Sequence, residues 1–418
     1  MLCAIKLAVG AWVLSRGFTH VSDDDYARTV IAQQFAHAPR LDPSGTSWLP
    51  LPFWVEGSAM WIAGRSLGVA RVVAVALGAA SVVAPYVAMR SVSVSRAAAA
   101  IAVATAMVLP WNAWLGVATV PEGWAGALIA AAAIAMGSAR ARPWAATALC
   151  IASLSRYEAW PACAALAAVS SWRAVRGGHR GREGAWALVA VAGPIAWLAW
   201  NAHAHGSAVH FVARVTAFRH AVGAADIPLR DKLLDYPRAL ALDTPEAAAL
   251  GIVGTVGLVA SDPLRARWRW AVAISGVILA FLIWGDVQDG APTHHPARAL
   301  AALWWILVGM GVDAAFVFVQ GWTASWRMAS AAVAAMAWCA SLPPRWDASP
   351  GRGESERRDV QVARGLDLRA RGVAAVSITP CSFEHFALIA AWGAPENAEV
   401  EKRTGEPPTS DCPRVVER

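Results

Sequence analysis

Residues 67–89 read LGVARVVAVALGAASVVAPYVAM, and this stretch decides the fold class. It carries one charged side chain, Arg71, in a length that can cross the hydrocarbon core of a bilayer as a helix, which takes about 20 residues. Only helices and closed β-barrels can span a bilayer, because every backbone polar group there needs an internal partner. Barrel strands alternate apolar and polar side chains, and this stretch does not. We therefore predict a membrane-spanning helix.

Composition extends this prediction to most of the chain. Of 418 residues, 57% are hydrophobic and 16% are charged, and the mean hydropathy is +0.43. A soluble domain carries about 25% charged residues, so lipid must be the solvent for much of this chain. The apolar runs are 2–21, 67–89, 97–114, 122–138, 143–154, 157–172, 184–202, 245–260, 270–284, 297–319 and 325–342. The sequence therefore predicts an all-α polytopic membrane protein with about eleven transmembrane helices.

Three of these runs have alternative interpretations. The run 2–21 could be a cleaved signal peptide, but it lacks a small-x-small cleavage site and polar sequence follows at once, which favours a retained helix. The runs 143–154 and 157–172 are each short for a straight span, so they are either two short helices or one broken helix.

Charge distribution predicts the topology. With the N-terminus inside, the inner loops carry Lys and Arg at about four times the density of the outer loops, as the positive-inside rule requires. The long loops 21–66 and 203–245 then lie outside, where we expect the function. An odd number of helices places a soluble tail, 343–418, outside as well, after a transmembrane domain of 1–342. We predict a multi-pass protein of a bacterial inner membrane with a periplasmic C-terminus. The net charge of +7 does not indicate a nucleic-acid partner, because the arginines lie in short gaps and form no basic patch.

The tail has the pattern of a small α/β unit. After a polar hinge at 351–358, the sequence predicts a helix at 359–371, a strand at 373–378 and a helix at 383–392. Cys381 and Cys412 can form a disulfide in an oxidising compartment, and the alternative is two unrelated thiols.

An acidic cluster follows the first predicted helix. Three consecutive carboxylates, Asp23, Asp24 and Asp25, repel one another, and such clusters bind a cation, bind a basic group or keep one carboxylate ready for base catalysis. The alternative is an acidic N-terminus for an amphipathic helix at 26–38. A Pro- and Trp-rich segment, 48–54, then predicts a re-entrant or interfacial platform, or ordinary packing at the membrane interface.

Further ionisable residues lie at outer helix ends. Glu122 follows Pro121, and its alternatives are capping of a helix and chemistry. Arg156 and Glu158 either form an ion pair or belong to a site. The sequence HHPAR at 294–298 places two histidines and an arginine at the start of a helix, which suits a phosphate group. The spacing of these histidines does not match a zinc site, and interfacial anchoring is the other alternative.

The order of these motifs resembles that of the GT-C superfamily of integral-membrane glycosyltransferases, over roughly residues 1–320. Its members place an acidic motif after the first helix, then an amphipathic helix and a Pro-rich segment, as at 23–25, 26–38 and 48–54 here. Residues 64–71, GRSLGVAR, resemble its "FG…R" start of helix two, and RYEA at 156–159 resembles its R-x-E turn. HHPARA at 294–299 resembles the H-K-E-x-R-F motif of GPI and N-glycan mannosyltransferases, with His, Pro and Ala replacing Lys, Glu and Phe.

This resemblance implies a function. It implies an inverting, mannosyltransferase-like enzyme that moves a sugar from a polyprenyl- or dolichyl-phosphate donor to a lipid, glycan or protein acceptor. The implied roles are a base at Asp24, with Asp25 and Asp23 as alternatives; phosphate contacts at Arg298, His294 and His295, with Arg71 and Arg156 as weaker ones; and orientation of donor or acceptor by Glu122 and Glu158. Some members need a divalent cation such as Mg or Mn and others do not, so metal dependence stays open.

Two other classes remain as alternatives. A transporter or flippase of a lipid-linked or small polar substrate would carry ionisable residues in mid-helix and inverted repeats. A structural membrane protein would leave the three aspartates solvated. Here the ionisable residues cluster at outer helix ends, which favours the enzyme.

Overall fold

The computed structural model describes residues 1–176, 180–221, 227–290, 295–323, 325–326, 338, 342–401 and 413–418. These residues are mostly helical, as the sequence predicts. The helices are α1 (Leu2–Ser15), α2 (Asp24–His37), α3 (Leu51–Ala63), α4 (Leu67–Ser81), α5 (Val83–Ser91), α6 (Arg96–Met107), α7 (Pro110–Leu115), α8 (Glu122–Ala135), α9 (Arg142–Ser153), α10 (Ala159–Arg176), α11 (Arg180–His205), α12 (His210–Ala221), α13 (Leu229–Leu242), α14 (Pro245–Ala260), α15 (Asp262–Val287), α16 (Ala301–Phe318), α17 (Pro343–Trp346), α18 (Ser355–Ala370) and α19 (His385–Trp392). Short 3-10 turns span Pro296–Leu300, Val319–Gly321, Pro350–Glu354 and Pro395–Asn397.

The helices that can cross a membrane are fewer than the predicted eleven. In the described ranges, four stretches are long and apolar enough by themselves, namely Leu67–Ser91, Gly181–His205, Asp262–Val287 and Pro296–Gly321. A fifth results if α13 and α14, which meet at 92°, are counted as one broken span. Other predicted runs correspond to shorter apolar helices, among them α1, α6 and α8, and the run 325–342 lies almost entirely outside the described residues. The protein is therefore membrane-embedded, and the number eleven stays a prediction.

Helices α8 and α16 form the centre of the bundle, and almost all their residues are buried. Gly126 on α8 permits a close approach, since a Cβ at this position would lie 2.6 Å from the Cβ of Ala301 at the start of α16. Membrane helices pack through small residues, because van der Waals contact and not water exclusion holds them together. This packing brings the N-terminal ends of α8 and α16 side by side, with Glu122 on one and Arg298 just before the other.

The first long loop contains two helices. The predicted amphipathic helix at 26–38 is confirmed as α2, which begins two residues earlier, within the acidic cluster. The segment 48–54, predicted as a re-entrant or interfacial platform or as interface packing, leads into α3. The first turn of α3 contains Pro52, a residue tolerated there because its missing N–H has no helical partner. Gly57 brings α3 against α2, since a Cβ there would lie 2.5 Å from Phe35.

The tail contains the predicted helix–strand–helix order and two further strands. β1 (Val376–Thr379) lies between β2 (Ala398–Val400), to which it is parallel, and β3 (Arg414–Glu417), to which it is antiparallel. Cys381 is disulfide-bonded, but Cys412 lies outside the described residues, so the predicted Cys381–Cys412 pairing stays a prediction.

The predicted hinge at 351–358 is wrong. Gly351 packs directly against the carbonyl group of His20, which leaves no room for a Cβ. Helix α18 already begins at Ser355, and Arg358 in its first turn is buried. The start of the tail is therefore anchored on the chain that follows α1.

Candidate active site

The three adjacent aspartates face three different partners. Asp23 accepts hydrogen bonds from Arg358 of the tail, at 2.7 and 2.9 Å. Asp24 accepts one from Nη2 of Arg298, at 2.8 Å. Asp25 bonds to backbone and threonine donors. Their mutual repulsion, which the sequence left unexplained, is therefore offset by a separate set of donors for each carboxylate.

Asp25 is buried and accepts four hydrogen bonds. Its Oδ1 accepts from the backbone N–H of Thr119 at 2.9 Å and from the threonine hydroxyl at 3.2 Å. Its Oδ2 accepts from the N–H groups of Val21 and Ser22, at 3.0 and 3.3 Å. With only 2% of the residue exposed, this carboxylate connects the loop at 116–121, between α7 and α8, to the start of α2.

Asp24 begins a chain of alternating charges, which we name the charge chain: Asp24, Arg298, Glu122, Arg156 and Glu158. Nη2 of Arg298 lies 2.8 Å from Asp24 and 2.8 Å from Oε1 of Glu122. The same Oε1 accepts from Nη1 of Arg156 at 2.9 Å. Arg156 also pairs with Glu158 through two hydrogen bonds, one of them 3.0 Å long. Three carboxylates thus alternate with two guanidinium groups.

Local structure positions each member of this chain. Glu122 opens α8 directly after Pro121, and Arg156 lies in the turn between α9 and α10. Arg298 lies in a 3-10 turn that follows His295, whose φ of 52° puts it in the left-handed region and redirects the chain toward α16. The charge chain therefore contains residues from four separate segments. The sequence predicts that all four lie on the same side of the membrane.

Two further predicted site residues, His295 and Arg71, have side-chain contacts with groups outside the charge chain. The ring of His295 lies 5.9 Å from that of Trp111, and His294 lies outside the described residues. Arg71 donates to the carbonyl groups of Thr19 and Val117, so its guanidinium connects two backbone segments. A phosphate role for His294, His295 and Arg71 stays a prediction.

Two buried ionisable residues near the charge chain were not predicted from the sequence. Arg28 is 3% exposed, its guanidinium stacks on the ring of Trp48 at 4.4 Å, and its Nε and Nη1 have no hydrogen-bond partner among the described residues. Its positive charge interacts with those of Glu122 and Asp24. The spacing Asp24–Arg28, one helical turn on α2, was the available signal, since residues at i and i+4 share a helix face.

Glu56 on α3 is the second of these residues. It is 4% exposed, and its Oε2 likewise has no partner in the described part of the chain. Burial raises the pKa of Glu56 to about 8, against an opposing effect of Arg28. At neutral pH this carboxyl group is therefore largely protonated, and it leaves the charge of Arg28 available to other groups.

Comparison with known proteins bears on the fold. No family model matches the sequence, and no curated protein matches it. Among solved structures, ArnT from Cupriavidus metallidurans in the apo state matches with a TM-score of 0.52 and 15% identity, over 94% of this chain and 74% of that one. ArnT is a GT-C glycosyltransferase. This chain has the GT-C fold. The structure of ArnT bound to undecaprenyl phosphate matches over the same shares, with a TM-score of 0.43 and 14% identity.

A narrow pocket lies beside the charge chain in this fold. Its charged lining is Glu122, Arg156, Glu158 and Arg298, and its apolar lining is Gly126, Ile129, Ala299, Ala301 and Ala302. With an accessible volume of about 10 Å³, this pocket has room for about one water molecule in the structure.

The described residues contain no preformed site for a divalent cation. They contain no group of three His, Cys, Asp or Glu side chains placed to hold a metal ion. The carboxylate oxygens of Asp24, Glu122 and Glu158 face guanidinium groups instead. Dependence on Mg or Mn therefore stays a prediction from the resemblance.

Proposed function

We propose that this protein is a glycosyltransferase that moves a sugar from a polyprenyl-phosphate donor to a hydroxyl group of a lipid, glycan or protein acceptor, at the outer face of the inner membrane. One observation carries the proposal: the charge chain places a partly exposed carboxylate, Asp24, beside buried guanidinium groups. Such a site can accept a proton and stabilise a departing phosphate in the same reaction.

Asp24 is the base in this proposal. Its side chain is 26% exposed, whereas Asp25 is buried among four donors and Asp23 is held by Arg358 at both oxygens. A base must reach the proton that it removes, and Asp24 is the most accessible member of the triplet.

Arg28, Arg298 and Arg156 are the phosphate-binding residues. Arg298 and Arg156 already pair with carboxylates, whereas Nε and Nη1 of Arg28 have no acceptor in the described part of the chain. Leaving a buried charged donor unsatisfied costs free energy, so an anion that accepts from both atoms is favoured at this position. A phosphate accepts two parallel hydrogen bonds from one guanidinium group.

The reaction that follows is a single displacement. The acceptor oxygen attacks the anomeric carbon while the bond from that carbon to the phosphate oxygen breaks. The acceptor proton passes to Asp24, and the polyprenyl phosphate leaves with the electron pair of the broken bond. The arginines stabilise the charge that develops on the phosphate, and one displacement inverts the configuration. A hexose, with mannose first, is the sugar to test, since part of the resemblance is to mannosyltransferases.

Donor turnover in proteoliposomes tests this function. Polyprenyl-phosphate sugars, mannose first, are supplied with membrane lipid and glycan acceptors, and free polyprenyl phosphate and glycosylated product are measured. We expect equal amounts of both products, abolished by Asp24→Asn and retained in Asp231→Asn, a control whose side chain is 44% exposed on α13. Movement of the intact donor across the vesicle without release of phosphate would support a flippase and overturn the proposal.

A further inference from the structure

Arg358, on the tail helix α18, is bound to the first aspartate of the acidic motif. Its Nε and Nη2 atoms donate to the two carboxylate oxygens of Asp23, at 2.7 and 2.9 Å. Its Nη1 lies 3.0 Å from Glu384, and its Nη2 also reaches Glu354 at 3.1 Å. The residue is only 4% exposed, so solvent screens these charges weakly.

The tail and α2 form one packed unit around this ion pair. Tyr26 and Val30 of α2 share a hydrophobic core with Leu368 and Leu388 of the tail. Gln33 of α2 donates to the carbonyl group of Ala390 at 2.7 Å. Arg65, just before α4, pairs with Glu396 of the tail at 2.7 Å. These contacts hold the tail, and with it the helix that carries Arg358, against α2.

We propose that Arg358 is a positioning residue for the transfer reaction: by holding Asp23, it orients Asp24 and sets the charge around it. This proposal rests on the proposed function, because it takes Asp24 as the base. Asp23 and Asp24 are consecutive, so a two-point bond to the first restricts the backbone that carries the second. The tail is then part of the active site, although its sequence carries no part of the GT-C resemblance.

Electrostatics predicts the direction in which the acid limb of the pH–rate profile moves when Arg358 is removed. Without Arg358, the carboxylate of Asp23 would be uncompensated beside Asp24, and a neighbouring negative charge favours protonation of a carboxylate. Other charged or titratable groups around the motif are Asp25, Tyr26, Glu56, Arg71, Asp359, Glu354, Glu384, His20, His385, Arg298, Glu122, Arg156 and Arg28. Burial lowers the pKa of His385, so this imidazole is neutral at pH 7 and does not replace the charge of Arg358.

The test uses the full chain in proteoliposomes. We expect Arg358→Gln to lower kcat about tenfold with donor KM unchanged within about twofold, and to move the acid limb of the pH–rate profile up by about one pH unit. Arg358→Lys keeps the charge but not the two-point bond, so kcat falls and the acid limb stays. In Arg358→Gln with Asp23→Asn both charges are gone, and the acid limb returns to that of the wild type.

The control is Arg371→Gln, which removes an exposed arginine at the end of the same helix, paired with Asp367 and Glu417. We expect wild-type kinetics from it. If Arg358→Gln keeps the wild-type acid limb and loses activity only in proportion to the folded fraction, Arg358 is merely structural and the proposal is overturned. If Arg358→Gln does not fold, the lysine and double variants decide. A wild-type protein without donor turnover would instead show that the proposed function itself is wrong.

Discussion

Arg298 and Asp24 form an ion pair of 2.8 Å, although 274 residues separate them in the chain. This pair joins the start of α2 to the 3-10 turn that precedes α16. An enzymatic site built from the acidic motif and the HHPAR motif requires that these two motifs lie together at one cavity. The observed contact meets that requirement.

Different outcomes are expected for the neighbouring aspartates. Asp24→Asn should lower transfer at least about 100-fold with little loss of thermal stability, since a general base contributes about 10²- to 10⁴-fold. Asp25→Asn should instead lower the unfolding temperature, because the amide cannot accept all four hydrogen bonds that this carboxylate receives. Steady-state kinetics and thermal unfolding in detergent distinguish the two. Full activity in Asp24→Asn would contradict the assignment of the base.

Arg28 is expected to control donor affinity. Hydrogen bonds to a charged group contribute about 1.5–3 kcal/mol, so Arg28→Gln should raise the KM for the polyprenyl-phosphate donor about 10- to 100-fold. The control is Arg40→Gln, an exposed arginine just after α2. The unfolding temperature with and without added polyprenyl phosphate gives an independent measure. If the lipid stabilises Arg28→Gln as strongly as the wild type, Arg28 does not bind the phosphate.

Glu56 is expected to make stability depend on pH. The pKa of Glu56 is about 8 in the folded protein and 4.5 ordinarily, so between these values the folded chain holds a proton that the unfolded chain has released. Stability therefore falls as the pH rises through this range, and this contribution is lost above pH 8. In Glu56→Gln the unfolding temperature should fall less between pH 5 and pH 8 than in the wild type. Glu356→Gln, an exposed site on α18, should keep the wild-type slope, and equal slopes for both variants would exclude the effect.

Close packing of α8 on α16 is expected to be sensitive to one methyl group. Gly126→Ala places a Cβ 2.6 Å from that of Ala301, and overpacking of this kind costs about 1–3 kcal/mol. Gly276→Ala on α15 has no atom within 4 Å of the new Cβ and should be neutral or slightly stabilising. Thermal unfolding of the two variants measures the difference. The same loss in both would indicate a general effect of helix composition and not of this contact.

The sequence determined the helical membrane class of the protein and predicted where along the chain its candidate site residues lie. Long apolar runs impose membrane helices because the bilayer leaves the backbone no other partners. The acidic start of α2, the Pro121–Glu122 start of α8 and the order of the motifs were also readable, since caps and turns depend on neighbouring residues. The helical form of 51–63 was missed, because its Pro- and Trp-rich start resembles a loop.

Only the tertiary structure determined which partner each charged residue binds. The three aspartates are identical in the sequence, yet one binds Arg358, one Arg298 and one the backbone at Thr119, across separations of 335, 274 and 94 residues. The electrostatic roles of Arg28 and Arg358 depend on their burial, which no local pattern encodes. The reason is physical: the strength of a charge interaction depends on distance and on the surrounding dielectric, and folding sets both.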